Sequence, residues 1–349
     1  MWLLWKEMGG GRDGLNRTHS VYSGNMGFVN SLRVAIASTL IKAVRVPWRV
    51  GERLFRRPFP IIDHYVIMRI FRCLSSHFPV TIRYLNPTSK EQQSITLSLD
   101  LCENNQLWYF RMRGHYEREW IRVISQAMNY AESFIDVGAN IGVFALTIAQ
   151  THSDRSVVAI EPLLPNYLKL QENGLLNHLS NIESYQAAVA DDHHPISFYV
   201  NPIHDGGGSI IQPTDYRTGE VRIDAAKYRT SHPNFVAIEQ VDSLRLDDVI
   251  TAQSVVKIDV EGAELSALAS GKRALNSGLI DVMVVEVTDT SVGEVIAFLD
   301  EVEFDSLTWG QQSPMAMGSQ VYWKIRNLLC LRWKSSTYRT MLGFMQEKA

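Results

Sequence analysis

The sequence is poor in cysteine and has no long hydrophobic run. Its 349 residues include three cysteines, Cys73, Cys102 and Cys330. Their spacing fits neither a metal site nor paired disulfides, which favours a reducing cytoplasm. The charge-free stretch at 34–41 is far shorter than the roughly 18 residues of a membrane-spanning helix. The net charge is only −3, and no nucleic-acid partner is predicted. The composition is that of a globular chain with room for one large α/β domain plus appendages.

Residues 134–144, FIDVGANIGVF, predict a nucleoside-binding turn between a buried strand and a helix. The spacing D-x-G-x-N-x-G differs from the dinucleotide pattern G-x-G-x-x-G, which would need a further glycine at Ala139 or Asn140. A second apolar run, residues 157–160, ends in Glu161, where an acid would hold a ribose diol. The two motifs indicate an adenosine-containing cofactor. S-adenosylmethionine fits because its ammonium suits acidic surroundings and it has no phosphate to be bound.

Beyond this turn, apolar runs and helical patterns alternate regularly. Strands are predicted at 157–160, 182–185, 255–259 and 281–287, and helices near 165–176, 261–270 and 291–302. This alternation favours a parallel sheet covered on both faces. Two further strands with no helix between them, at 303–309 and 320–325, are predicted to pair antiparallel at one edge. The predicted fold is therefore α/β, with a Rossmann-like sheet of seven mostly parallel strands.

The residues before 126 predict an extension built from helices and a β-hairpin. A helix at 28–46 has an apolar stripe, and its basic surroundings fit either a membrane-surface patch or a solvated helix equally well. A further helix is predicted at 61–76, a hairpin at 80–84 and 94–98, and a third strand at 107–110. The predicted domains are an N-terminal tail with the basic helix (1–60), an accessory helix and antiparallel segment (61–125), a cofactor-binding domain (126–325) and a basic C-terminal tail (326–349).

Several motifs resemble those of FkbM-like methyltransferases, a branch of the class I S-adenosylmethionine-dependent enzymes. The resemblance rests on FIDVGANIG at 134–142, IEP at 160–162 followed by Asn166 and Asn173, LRLDDV at 244–249, and VVE at 284–286. It is most specific at VKIDVEGAE, residues 256–264, and it spans about residues 115–325. It implies a seven-stranded methyltransferase sheet and S-adenosylmethionine as methyl donor. It also implies, as is usual in the family, O-methylation of a hydroxyl on a sugar, lipid or secondary metabolite.

The resemblance also implies which residues bind the cofactor. These are Asp136, Gly138, Asn140, Gly142, Glu161, Gln186 and Ala188. The first four would line the methionine end, Glu161 would take the ribose hydroxyls with both carboxylate oxygens, and the last two would border the adenine. Because Gly138 would make room for the cofactor, its replacement by valine is expected to abolish binding while leaving the fold intact.

Acidic residues at the ends of later strands are the candidates for chemistry. Ligands collect at the carboxyl ends of strands in open α/β sheets, so Asp259 and Glu261 should face the leaving methyl group. An aliphatic hydroxyl needs a base to accept its proton. The candidate catalytic residues are Asp259, Glu261 and His204, and the choice among them stays open. Glu286 and Glu264 are candidate substrate contacts, although an acid such as Glu264 in the first turn of a helix also suits the helix dipole. No metal ligands are predicted.

The predicted function is an S-adenosylmethionine-dependent methyltransferase that O-methylates a hydroxyl of a sugar, glycolipid or secondary metabolite. The alternative is a non-catalytic nucleoside-binding or scaffold subunit of a membrane-associated glycan assembly complex. An NAD-dependent oxidoreductase is disfavoured by the missing glycine. The expected location is the cytoplasm. Peripheral membrane contact through the basic helix and formation of a homo-oligomer are left open.

Overall fold

The computed structural model describes residues 77–85, 92–100, 106, 118–191, 193–200, 210, 237–287, 291–308, 316–317, 320–321, 326–333 and 335–346. The chain divides into one compact unit of residues 1–78 with 100–102 and a second unit of residues 79–99 with 103–349. Nearly all described residues lie in the second unit, and the account below concerns that unit. The helices predicted at 28–46 and 61–76, the strand predicted at 107–110 and the tail 1–60 lie outside the described residues.

The described residues form strands and helices in the following order. The strands are β1 (His77–Leu85), β2 (Gln92–Asp100), β3 (Ser133–Val137), β4 (Ser156–Ile160), β5 (Ile182–Tyr185), β6 (Ala188–Val189), β7 (Ile196–Val200), β8 (Ala237–Val241), β9 (Ser243–Leu244), β10 (Ser254–Ile258), β11 (Ile280–Val287), β12 (Phe304–Thr308), β13 (Ala316–Met317), β14 (Gln320–Val321) and β15 (Arg326–Arg332). The helices are α1 (Arg118–Ala127), α2 (Val143–Thr151), α3 (Leu164–Leu176), α4 (Leu246–Val249), α5 (Glu264–Ser270), α6 (Lys272–Asn276), α7 (Val292–Glu301) and α8 (Ser336–Gln346).

Seven of these strands form one sheet in the order β12-β15-β11-β10-β3-β4-β5. Neighbouring strands from β11 to β5 run parallel, and β15 is antiparallel to both of its neighbours. Central strands β3 and β10 are buried along their whole length, as expected for parallel strands covered on both faces. The predicted Rossmann-like sheet of seven mostly parallel strands is confirmed. In this order the last strand of the sheet, β15, lies between β11 and the edge strand β12.

Helices cover both faces of this sheet because side chains alternate between its two sides. Ile135 and Val137 of β3 belong to one apolar cluster, which α4, α5 and α7 complete. Phe134 of the same strand belongs to the opposite cluster, which includes Ile124 of α1, residues of α2 and Met341 of α8. Helix α1 is therefore part of the core of the sheet domain. The predicted boundary at 125/126 is wrong, since it cuts through this helix.

The C-terminal part of the predicted sheet also needs correction. The strand predicted at 303–309 is confirmed as β12, but its antiparallel partner is β15 and not residues 320–325. Among the described residues, Gln320–Val321 pair with Ala316–Met317 in a separate two-stranded sheet. The predicted tail 326–349 is wrong because residues 328–331, Leu-Leu-Cys-Leu, are buried on both faces between β11 and β12. Because Arg326 and Arg332 flank this short apolar run, the sequence resembles a basic tail. Helix α8 follows and packs on the sheet.

The predicted hairpin is confirmed as β1 paired with β2, and α3 holds its second strand through polar side chains. The side-chain amide of Asn177 makes two hydrogen bonds of 2.7 Å with the backbone of Thr96: its Oδ1 accepts from the Thr96 amide and its Nδ2 donates to the Thr96 carbonyl. A neighbouring strand would make the same pair of bonds. One turn earlier, Asn173 Oδ1 accepts the Ser98 amide at 2.6 Å. Asn173 Nδ2 donates to the Ile141 carbonyl at 2.9 Å. Asn173 is fully buried, and it joins the hairpin to the turn that follows β3.

We expect Asn173→Ala to lower the free energy of unfolding by about 1–3 kcal/mol, because it leaves a buried amide and a buried carbonyl without partners. Urea denaturation measures this loss. The matched control is Gln171→Ala on the same helix, since Gln171 is exposed and donates only to the Tyr167 hydroxyl. Equal stability losses in the two variants would contradict the role given to Asn173.

Candidate active site

The backbone conformation of the turn between β3 and α2 explains the spacing of its glycines and asparagine. Gly138, Asn140 and Gly142 have φ angles of 77°, 51° and 91°, all in the left-handed region that glycine adopts freely and asparagine tolerates best among the other residues. Asn140 Oδ1 also accepts the amide of Ile141 at 2.8 Å. The D-x-G-x-N-x-G pattern therefore places a residue that tolerates positive φ at every second position of the turn.

All five amides from residue 138 to residue 142 donate hydrogen bonds within the protein. Those of Gly138 and Ala139 donate to the Ile160 carbonyl, and that of Gly142 donates to Ala139. The Asn140 amide donates to Glu161 Oε2 at 2.8 Å, and the Ile141 amide is bound by the Asn140 side chain. Phosphate sites at such turns need free amides. This turn therefore does not offer a pyrophosphate cradle, which agrees with a cofactor that has no phosphate.

The two glycines of the turn are required by close packing inside the protein. A Cβ atom on Gly138 would lie 1.8 Å from the backbone oxygen of Asp259, which follows β10. A Cβ atom on Gly142 would lie 2.4 Å from a methyl group of Leu170 on α3. The expectation that valine at position 138 leaves the fold intact is therefore wrong, because the added atoms would collide with backbone.

Glu161 follows β4 and is held rigidly beside the turn. Its Oε2 accepts the Asn140 amide at 2.8 Å, and its Oε1 accepts the Leu163 amide at 3.0 Å and the Asn166 side chain at 3.4 Å. A carboxylate has about four acceptor positions, so these bonds leave one, on Oε2. Burial raises the pKa of Glu161 to about 7, although the three hydrogen bonds act in the opposite direction.

The buried ammonium group of Lys257, in β10, lies between Asp136 of β3 and Asp259, which follows β10. Lys257 Nζ is 3.0 Å from Asp259 Oδ2 and 3.8 Å from Asp136 Oδ1, and it lies 4.8 Å from the centre of the Phe144 ring. Asp136 Oδ2 accepts the Ala145 amide in the first turn of α2 at 3.0 Å. Burial raises the pKa of Asp136 to about 6 against the opposing effect of Lys257. Asp136 itself is 1% exposed. Asp136 is therefore a buried residue that stabilises the turn through its hydrogen bond to the start of α2.

The turn after β10 presents two glutamates in different environments. Glu261 is exposed and has φ 51°, which is uncommon for a residue other than glycine. Desolvation by its surroundings, followed by repulsion from Asp259 and Glu264, raises the pKa of Glu261 to about 7. Glu264 is buried at the start of α5, and its Oε1 accepts the Gly262 amide at 2.7 Å. Burial also raises the pKa of Glu264.

The remaining predicted site residues are distributed differently. Glu286 lies in β11 one residue before its end, level with Asn327 of β15. Gln186 is exposed, whereas Ala188 is buried and its amide donates to the Asp242 carbonyl. His204 lies outside the described residues. The structure thus brings Asp136, Glu161, Asp259 and Glu261 to one edge of the sheet. Among the described residues, no group of three or more His, Cys, Asp or Glu could hold a metal ion.

Two functional features escape sequence reasoning. Lys257 received no role, because a lysine within an apolar strand carries no local sign of its partners. Only its place two residues before Asp259 in KIDVE, on the same face of an extended strand, could indicate an ion pair. The second feature is Asn166, whose side chain supports Glu161 from α3. Asn166 is part of the family resemblance, but the sequence does not predict that its side chain contacts Glu161.

Comparison with known proteins identifies the domain that contains this site. A family model described as the Methyltransferase FkbM domain matches residues 136–306. Methyltransferase 1 of Beauveria bassiana (strain ARSEF 2860) is 26% identical over 171 residues, which cover 46% of this chain and 66% of that protein. The 31-O-demethyl-FK506 methyltransferase FkbM of Streptomyces tacrolimicus is 26% identical over 204 residues, which cover 54% of this chain and 77% of that protein. Residues 136–306 belong to the FkbM methyltransferase family.

The chain spans slightly less than two thirds of the Beauveria protein. Among solved structures, M. jannaschii TYW2 in complex with AdoMet is similar with a TM-score of 0.35 and 14% identity, covering 68% of this chain and 83% of that chain. The fold assignment therefore rests on the strand order itself. The expected cofactor is confirmed by the family: this FkbM domain is S-adenosylmethionine-dependent. The residues present fit it, since Glu161 keeps an acceptor position and the turn binds no phosphate.

In the FkbM domain, Gly138→Ala should destabilise the protein far more than Gly262→Ala. Both glycines have positive φ, so both substitutions cost about 1–2 kcal/mol in backbone strain. Only at Gly138 does the added Cβ meet another atom, the backbone oxygen of Asp259, whereas Gly262 faces open space. Thermal unfolding followed by circular dichroism measures the difference, and similar melting temperatures for the two variants would show that the turn does not pack on β10.

The raised pKa of Glu161 makes stability depend on pH in a defined direction. The unfolded group has a pKa near 4.5 and the folded group about 7, so its favourable contribution is complete below the unfolded value and is lost as pH rises through 7. A shift of this size corresponds to about 3 kcal/mol. Glu161→Gln should therefore flatten the decline in unfolding free energy between pH 5 and 7.5, whereas Glu294→Gln, on the surface of α7, should leave the slope unchanged. An unaltered slope in Glu161→Gln would rule out this titration.

Proposed function

We propose that the protein transfers the methyl group of S-adenosylmethionine to a hydroxyl group of a sugar, glycolipid or secondary metabolite. The name of one relative, a 31-O-demethyl-FK506 methyltransferase, describes methylation of an oxygen on a small molecule. The proposal also draws on the acids at one edge of the sheet, where ligands of open α/β sheets bind. Carboxylates accept hydrogen bonds from hydroxyl groups and can take their protons.

The observation that carries this proposal is the state of Glu261. It is accessible, its pKa is raised to about 7, and its backbone has the uncommon left-handed conformation. A base is most effective when its pKa lies near the working pH, and strained residues cluster at functional sites. We therefore assign proton acceptance from the acceptor hydroxyl to Glu261.

Asp259 has a different role in this proposal. Its carboxylate is paired with Lys257 at 3.0 Å and its backbone is packed on the turn, so it is fixed in position and engaged by a cation. These features suit a residue that orients the acceptor beside the reacting methyl group, since alignment is the main requirement of an in-line displacement. When bound, S-adenosylmethionine supplies an electrophilic methyl group on a sulfonium.

The remaining residues hold the cofactor or the acceptor. Glu161 would receive one ribose hydroxyl at its remaining acceptor position on Oε2. Gly138, Asn140 and Gly142 would shape the backbone next to the methionine end. Glu286, at the end of β11, would contact the acceptor. Glu264 stabilises its own turn by accepting the Gly262 amide, which favours a structural role for Glu264 over contact with the substrate.

For the location, we propose the cytoplasm with peripheral membrane contact through the basic helix predicted at 28–46. Among the described residues, no helix is long and apolar enough to cross a membrane. Sedimentation with anionic vesicles at low ionic strength tests this contact, because surface attraction is strongest there. A protein that stays in solution under these conditions would contradict it.

The function is tested by incubating the protein with isotopically methyl-labelled S-adenosylmethionine and extracts of glycans, lipids and small metabolites from cells that lack it. We expect mass spectrometry to find a labelled methyl ether. With that acceptor, Glu261→Gln should lose at least about a hundredfold in turnover, the lower limit for removing a general base, and should keep S-adenosylhomocysteine affinity.

The matched control is Glu303→Gln. Glu303 is also an exposed glutamate with positive φ, but it precedes β12, at the opposite end of that strand from the carboxyl edge. It should retain full turnover. Label on nitrogen or carbon would contradict O-methylation, and cofactor binding without any labelled product would favour the scaffold alternative.

A further inference from the structure

Lys257 is a buried cation in the middle of the sheet. Its side chain is 3% exposed, and in β10 it stands directly beside Asp136 of β3. An ammonium group in such a position needs compensating charge, because its desolvation is costly. The compensation comes from Asp136 at 3.8 Å, from Asp259 at 3.0 Å and from the face of the Phe144 ring.

The two acids that share this lysine are attached to different parts of the site. Asp136, in β3, accepts the Ala145 amide of the first turn of α2 and so connects β3 to the helix that follows the turn. Asp259 follows β10, its amide donates to the Val137 carbonyl at 3.0 Å, and its own carbonyl lies against Gly138. Lys257 therefore ties the carboxylate of Asp259 to the cofactor turn, in addition to the backbone contacts.

The charge of this triad matters because methyl transfer changes the charge of the bound molecule. S-adenosylmethionine carries a sulfonium cation, and its product S-adenosylhomocysteine has a neutral sulfur. Excess negative charge at the strand ends would bind the cation tightly before reaction but lose that attraction as the positive charge disperses. Such ground-state stabilisation slows the chemical step. Two carboxylates and one ammonium carry a net charge of −1, whereas the carboxylates alone would carry −2.

We propose that Lys257 is a positioning residue that holds Asp259 in place and limits the negative charge at the strand ends, thereby setting the affinity of the site for S-adenosylmethionine relative to S-adenosylhomocysteine. The proposal rests on the placement of the cofactor at this edge given under the proposed function. It concerns binding and does not depend on the identity of the acceptor.

The test is calorimetry with S-adenosylmethionine and S-adenosylhomocysteine at pH 8. The starting variant is Asp136→Asn, in which the new amide oxygen can still accept the Ala145 hydrogen bond. Adding Lys257→Met then leaves no buried acid unpaired and keeps the aliphatic stem of the lysine. In this background the substitution changes the local charge from 0 to −1. We expect the ratio of affinities to shift toward S-adenosylmethionine by about tenfold, the effect of one unit charge roughly 12 Å away at an effective dielectric constant of about 20.

The control is Lys272→Met. Lys272 also pairs with a carboxylate, that of Glu301, and lies over a phenyl ring, that of Phe298, but it belongs to α6, near the opposite ends of the strands. Its substitution should leave the affinity ratio unchanged. If Asp136→Asn does not fold, Lys257→Met alone is compared with the unmodified protein at pH 5, where Asp136 is mostly protonated and the same shift is expected.

Each other outcome overturns the proposal. Equal changes in the two affinities would mean that Lys257 acts only through packing. Failure of Asp136→Asn/Lys257→Met to fold, when Asp136→Asn folds, would mean that the lysine serves the fold alone. A failure of the proposed O-methylation would appear separately, as the absence of a labelled methyl ether with the unmodified protein, and would leave the affinity ratios intact.

Discussion

The close contact between Gly138 and the backbone of Asp259 is the constraint on which the site depends. It lets the turn after β3 lie against the end of β10 with no side chain between them. The same approach brings the buried Asp136 and the partly exposed Asp259 within reach of one buried lysine, which pairs with both carboxylates. The turn also positions α2 and donates the Asn140 amide to Glu161. A displacement at Gly138 would therefore disturb both Asp259 and Glu161.

Burial disfavours the ionised forms of several acidic side chains at this edge of the sheet. Burial raises the pKa of Asp136 to about 6 and that of Glu161 to about 7, and the pKa of Glu264 rises for the same reason. The fold offsets this cost locally, through amides of α2, of the Asn140 turn and of Gly262. Such an arrangement lowers stability near neutral pH. A cationic cofactor with hydroxyl donors would favour the ionised forms, so its binding and the charge state of these acids are coupled.

The sequence predicts the sheet well because strands buried on both faces read as continuous apolar runs, as at 157–160 and 281–287. It predicts the turn because positive φ angles demand glycine or asparagine at fixed positions. It does not reveal which atoms surround those glycines, since Asp259 and Leu170 are distant in the chain. For the same reason the sequence does not predict that Lys257 is buried. A charged residue is expected to face solvent unless its partner on the neighbouring strand, here Asp136, is known. The sequence does not predict the inner position of β15, because the apolar core of this strand is only four residues long and lies between arginines.

The folding unit extends well beyond the segment that matches the family. Residues 136–306 include neither α1, which covers one face of the sheet, nor β15, which separates β11 from β12. Without β15, the backbone groups of β11 that face it would lose their partners along residues 282–287, and buried residues such as Val284 would lose the leucines that cover them. The hairpin is bound to the unit as well, since Asn173 links Ser98 to the carbonyl of Ile141. Parts of the chain that lie outside the matched segment, and that look accessory in the sequence, therefore support the turn on which cofactor binding depends.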